Sequence, residues 1–153
     1  MADKQSARIL AYVRDCVDAQ KLRQVAINAR KQGNIEVERQ ASLRLYQVLP
    51  SSDPDTFEFD VWKSIHALED TLTIERCRTT RLQRTRNAIK DESELATVKK
   101  LLMKASVSEG FGMLRDRRML DLTFEAVALR HPELFSDEEL SRARQRLQKP
   151  EKF

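Results

Sequence analysis

Apolar residues recur along most of the chain at the three- and four-residue spacing of an amphipathic helix. The first set predicts a helix over residues 6–18, with an apolar face made of Ile9, Leu10, Val13, Cys16 and Val17. A second set runs from Leu22 to Ala29 and ends at Gly33 and Asn34, which tolerate the left-handed conformation that stops a helix. A third set runs from Val37 to Leu49, just before Pro50. Short connections favour antiparallel neighbours, so residues 18–49 predict a helical hairpin. The pattern leaves open whether a break near Asp18 separates the first two helices.

The strongest apolar stripe follows Asp53 and Pro54, a pair typical of a helix start. Its members are Phe57, Val61, Trp62, Ile65, Leu68 and Leu72. This stripe predicts the central core helix, which contains the only Trp. Because exposed apolar stripes also pair with partners, the same residues predict a possible homodimer.

Further periodic sets fill the chain after residue 90, and each begins near a residue that can cap a helix. The predicted starts are Asp91 or Ser93, a capping box of Ser106 with Glu109, Asp121 or Thr123, and a capping box of Ser136 with Glu139. No stretch alternates apolar and polar residues for long enough to predict a strand. The sequence therefore predicts an all-α fold of about seven short-to-medium helices in antiparallel hairpins. We expect a single compact domain over residues 1–148 and a frayed tail over 149–153.

The composition favours a cytoplasmic protein without a membrane partner. No apolar run approaches the roughly 18 residues of a membrane span, and the N-terminus lacks the layout of a signal peptide. The two cysteines, Cys16 and Cys77, lie far apart and predict reduced thiols, Cys16 in the core and Cys77 at its boundary. His66 and His131 have no second ligand at metal-binding spacing.

No catalytic motif stands out. The chain has no Gly-rich phosphate loop, nucleophile elbow or dinucleotide fingerprint, and its carboxylates fall mostly at helix starts and surface positions. We therefore expect no enzyme activity and no cofactor or metal.

The most unusual stretch is Arg76–Lys90, which contains six basic residues and no acid. The whole chain has a net charge of +4, and the excess base lies after residue 70. On a helical wheel Arg78, Arg81 and Thr85 share one face, which predicts an Arg-rich helix that contacts the phosphates of nucleic acid. The candidate nucleic-acid-binding residues are Arg76, Arg78, Thr80, Arg81, Gln83, Arg84, Arg86 and Lys90.

Two other interpretations of this stretch stay open. A helical adaptor or inhibitor would dock the same basic face on an acidic protein surface. Alternatively, the arginines form a solvated face that is salt-bridged to acids elsewhere in the fold. Local pairing does not supply those acids, because none lies inside the run.

Two segments, residues 80–86 and 122–130, are similar to segments of bacterial helical proteins without an assigned function. The resemblance implies a bacterial origin and a helical fold. It supplies no catalytic residue.

Overall fold

The computed structural model describes residues 3–152, and within that span the chain is helical without a strand. This confirms the predicted all-α class. Nine α-helices occur there, two more than predicted. The helices are α1 Lys4–Asp15, α2 Ala19–Lys31, α3 Ile35–Val48, α4 Phe57–Arg76, α5 Gln83–Glu92, α6 Glu94–Met103, α7 Glu109–Asp116, α8 Phe124–Arg130 and α9 Asp137–Gln148. Short 3-10 turns lie at Leu120–Leu122, Pro132–Leu134 and Pro150–Lys152.

The chain divides into two compact units, one ending at Pro50 (unit 1) and one beginning at Ser51 (unit 2). The single domain over residues 1–148 stays a prediction. So does fraying of the tail, where Pro150–Lys152 forms a 3-10 turn and Phe153 lies outside the described residues. None of the helices between residues 3 and 152 combines the length and apolar composition needed to cross a bilayer.

Unit 1 contains the predicted α2–α3 hairpin. Its core joins α2 and α3, with a contribution from α1, and consists of Val13, Cys16, Leu22, Ala26, Ala29, Val37, Ala41, Leu45 and Tyr46. The hairpin turns at Gly33, which has a φ of 71°, and the side chain of Asn34 caps α3.

A break does separate α1 from α2. The Asp18 carboxylate accepts a hydrogen bond from the backbone N–H of Lys21 at 3.2 Å and so caps α2. Helix α1 ends at Asp15 rather than at residue 18. The expectation that Val17 joins the apolar face was therefore wrong, since Val17 lies in the connection and is 76% exposed.

Unit 2 is organised around α4, as the apolar stripe predicted. Five of the six stripe residues are buried and Trp62 is partly buried. The start of α4 was predicted too early, because Thr56, not Asp53, caps the helix. The Thr56 hydroxyl accepts from the N–H of Phe59 at 3.2 Å and donates to the carbonyl of Asp53 at 2.6 Å. With its apolar face covered inside unit 2, α4 has no exposed stripe for the predicted homodimer.

Three of the later helix starts follow the predicted cap chemistry. Ser93, Thr123 and Ser136 cap α6, α8 and α9, and Ser136 forms the predicted capping box with Glu139. The box predicted at Ser106 is wrong, because α7 starts after Ser108 and has no side-chain cap.

Candidate nucleic-acid interface

The basic stretch Arg76–Lys90 is not one helix. Helix α4 ends at Arg76, and Cys77 adopts the left-handed conformation, with φ of 54° and ψ of 31°. Residues 77–82 form a loop, and α5 starts at Gln83. The helical face predicted for Arg78 and Arg81 is therefore wrong. The stretch has few apolar residues, and among them only Ile89 is buried, so little packing holds residues 77–82 in a helix.

Glu69 of α4 fixes this loop and the start of α5. One carboxylate oxygen, Oε2, accepts from the backbone N–H of Leu82 at 2.8 Å and from Arg86 Nε at 2.7 Å. The other oxygen, Oε1, accepts from Arg86 Nη2 at 2.7 Å. Burial would raise the pKa of Glu69, but the hydrogen bonds from Arg86 and Leu82 outweigh it and lower that pKa. We call Glu69, Arg86 and the Leu82 N–H the Glu69 clamp.

The contacts of Arg86 are therefore mainly structural. Besides its two bonds to Glu69, its guanidinium lies 5.1 Å from the centre of the Trp62 ring. The hydrogen bond with Glu69 raises the pKa of Arg86. The expected phosphate contact of Arg86 finds no support in this arrangement, because two of its guanidinium nitrogens already donate to a carboxylate.

The other five cations of the stretch remain in solvent. They are Arg76, Arg78, Arg81, Arg84 and Lys90, and all five are exposed. Within residues 3–152, none of them forms an ion pair with a carboxylate. The salt-bridged interpretation therefore applies to Arg86 and not to these five.

Three of the free arginines border an open groove of about 700 Å³ in unit 2. The end of α4, the loop over residues 77–82 and the first turn of α5 contribute Arg76, Thr80, Arg81, Gln83, Arg84 and Thr85. Apolar side chains also line the groove: Leu68, Leu72, Leu82, Leu101, Met113 and Phe124. The remaining lining residues, Ser108, Glu109 and Gly110, belong to the start of α7. We call the first set the cationic rim and the second the apolar floor.

The predicted secondary contacts, Thr80 and Gln83, both line the groove. The N–H of Thr80 donates to the Thr73 hydroxyl at 3.0 Å, which ties the loop to the end of α4. The amide of Gln83 donates to Asn87 Oδ1 at 2.9 Å and remains exposed. Both side chains therefore lie beside the free arginines.

Two helices start at this groove without a side-chain cap. These are α5, preceded by Leu82, and α7, preceded by Ser108. The other seven α-helices within residues 3–152 each have a capping side chain. Backbone N–H groups in the first turn of an uncapped helix favour an anionic neighbour. The cationic rim attracts the same kind of ligand.

The remaining candidate ligands are engaged elsewhere. His131 Nε2 lies 2.8 Å from Asp60 Oδ2, and its ring packs edge-on against Phe57. Burial would raise the pKa of Asp60, but His131, Arg130 and Lys63 together lower it. His66 lies 4.0 Å from Glu69. Across residues 3–152, no three His, Cys, Asp or Glu side chains come together as a metal site.

Sequence reasoning missed Glu69 and the apolar floor. Glu69 had a weak local signal, because it is an acid between the stripe residues Leu68 and Leu72. The floor had none, because Leu101, Met113 and Phe124 come from three different helices. Sequence spacing does not show which helices will meet.

Compared with known proteins, the chain matches no family model, no curated protein and no solved structure. The local geometry combines free guanidinium groups, uncapped helix starts and an apolar floor. Such a surface suits a ligand that carries several negative charges and some apolar area.

Proposed function

We propose that the protein binds nucleic acid through phosphate contacts made by Arg76, Arg78, Arg81, Arg84 and Lys90. The observation that carries the proposal is the exposure of all five cations without a carboxylate partner within residues 3–152. Unpaired like charges close together in sequence repel one another, and an anionic ligand relieves that repulsion.

Guanidinium groups match phosphate oxygens better than an ammonium does, because their donors are planar and paired. Four of the five cations are arginines. The Glu69 clamp fixes the loop that carries Arg78 and Arg81 and the first turn that carries Arg84. Less conformational freedom is then lost when a phosphate binds.

The hydroxyl of Thr80 and the amide of Gln83 supplement these charged contacts. Polar side chains of this kind share phosphate and sugar contacts with arginine in nucleic-acid complexes. The uncapped first turn of α5 adds backbone N–H donors beside Arg84. All of these groups lie on or beside the same groove.

The test is a binding titration of Arg81→Glu with Arg84→Glu against wild type, using fluorescence anisotropy of labelled oligonucleotides. Two lost phosphate contacts weaken binding near 0.1 M salt by about 25-fold on a single strand and about 60-fold on a duplex, because each contributes about 0.7 or 0.9 unit of log affinity there. The matched control is Arg14→Glu with Arg23→Glu in unit 1, where both arginines are exposed. It makes the same change in net charge and should lower affinity much less.

Equal losses in the two double variants would mean that only overall charge matters and would contradict a localised site. Docking on an acidic protein is the other outcome. In that case oligonucleotides fail to bind at low salt, and a protein partner co-purifies after nuclease treatment.

A further inference from the structure

We propose that the groove in unit 2 accepts an unstacked base, so that the protein prefers single-stranded nucleic acid to duplex. This inference rests on the proposed function and specifies its substrate. It is drawn from the presence, within one groove, of both a cationic rim and an apolar floor.

Phosphate contacts alone do not require a groove with an apolar floor. A flat or convex basic surface is sufficient for a duplex, whose phosphates lie outside and whose bases are paired and stacked inside. In a single strand the bases can leave the stack and bury their faces against apolar side chains while the backbone follows a positive edge. The groove in unit 2 places both kinds of surface within reach of one nucleotide segment.

The size of the groove fits this occupant. Its volume of about 700 Å³ falls in the usual range for sites that enclose small organic ligands. Leu82, Leu101 and Met113 are only partly buried and so remain available for contact, whereas Leu68, Leu72 and Phe124 are buried beneath. The accessible part of the floor is therefore aliphatic, which favours contact with bases of any sequence.

Gly110 brings α7 close enough to α4 to complete the floor. A Cβ atom at this position would lie 2.7 Å from Leu68 Cδ2, so a larger residue would displace Leu68 or the helix. Next to it, Ser108 and Glu109 provide polar groups at the groove.

The experiment compares three probes of about 15 nucleotides with the wild-type protein: oligodeoxythymidine, an abasic strand and a duplex. The thymidine and abasic strands carry the same backbone charge and differ in the presence of bases. We expect the thymidine strand to bind about tenfold to hundredfold more tightly than the abasic strand, as burial of about 50 Å² of apolar surface on each of one or two bases would give. It should also bind more tightly than the duplex at equal salt.

Equal affinity for the thymidine and abasic strands would overturn the base site. Salt-dependent binding of both would still support the phosphate contacts, so the two proposals fail separately. Absence of binding to all three probes at low salt would overturn both.

A matched pair of variants tests whether the preference for thymidine over abasic strands depends on the apolar floor. Met113→Gln makes the floor polar without changing charge, whereas Met103→Gln changes an exposed methionine that does not line the groove. We expect Met113→Gln to reduce the preference for thymidine over abasic strands by about tenfold with the same salt dependence. Met103→Gln should leave it unchanged. A Met113→Gln variant that is folded by circular dichroism and keeps the full preference would place the base contact elsewhere and overturn the inference.

Discussion

Arg84 and Arg86 are two positions apart on α5, yet unit 2 uses them in opposite ways. Arg86 points to a buried acid and donates two hydrogen bonds to Glu69. Arg84 is exposed, borders the groove and has no carboxylate partner within residues 3–152. The two arginines differ because Glu69 of the neighbouring helix α4 accepts hydrogen bonds from Arg86. Their local sequence does not separate them. A basic stretch can therefore hold an arginine paired inside the fold and an exposed arginine without a carboxylate partner only two positions apart.

Arg146 of α9 is another arginine that is hydrogen-bonded inside the fold. Its guanidinium donates to Glu125 Oε1 at 3.3 Å and to the carbonyls of Leu101 and Lys104 at 3.2 and 2.6 Å. Both side chains of the pair are 6% exposed. Burial raises the pKa of Glu125 more than Arg146 lowers it, whereas Glu69, which is less deeply buried, has a lowered pKa.

The largest expected loss of stability follows from replacing Arg146. Arg146→Ala removes three hydrogen bonds and leaves Glu125 buried without its partner, so we expect a loss of about 3–5 kcal/mol in the free energy of unfolding. Chemical denaturation measures it. The control is Arg144→Ala, since Arg144 lies two positions away and is exposed. Losses of similar size in the two variants would contradict the distinction between structural and free arginines.

The next largest effect is the difference in stability between variants of the two arginines of α5. Arg86→Ala leaves the mostly buried Glu69 carboxylate without its charged donor, which we expect to cost about 2–3 kcal/mol. Arg84→Ala should change the free energy of unfolding by less than about 0.5 kcal/mol, as is usual for an exposed side chain. Urea denaturation of both variants decides the matter, and a stability loss in Arg84→Ala as large as in Arg86→Ala would disprove the separation.

The smallest effect is the pH dependence of the Glu69 clamp. The folded-state pKa of Glu69 is lowered from its ordinary value of 4.5. Its stabilising contribution is therefore fully present above about pH 4.5 and is lost as the pH falls through the lowered folded-state pKa. Glu69→Gln should be less stable than wild type at pH 7, with a difference that shrinks in acid.

Urea unfolding of both proteins between pH 3 and pH 7 measures this difference. The pKa of Asp60 is also lowered and that of Glu125 is raised. Both residues are present in each protein, so their contributions to the pH dependence of stability cancel in the comparison. A difference that stays constant over this range would show that the Glu69 charge does not stabilise the clamp.

The sequence predicted the features that depend on near neighbours. The helix class, the hairpin turn at Gly33 and the caps at Ser93, Thr123 and Ser136 need only residues within one or two turns. These were confirmed.

The loop at residues 77–82 depends on Glu69, which lies 13 positions before Leu82. The groove depends on which helices pack together. A helical wheel extended through the basic stretch could show neither, because it assumes a continuous helix.

The most direct test of the central claim is the salt dependence of binding to single-stranded oligonucleotide. Five phosphate contacts predict a slope of log affinity against log salt of about −3.5. Arg84→Ala should make that slope shallower by about 0.7, whereas Arg86→Ala, measured where it is folded, should leave it unchanged. A slope near zero for wild type, or an equal reduction in both variants, would contradict the account.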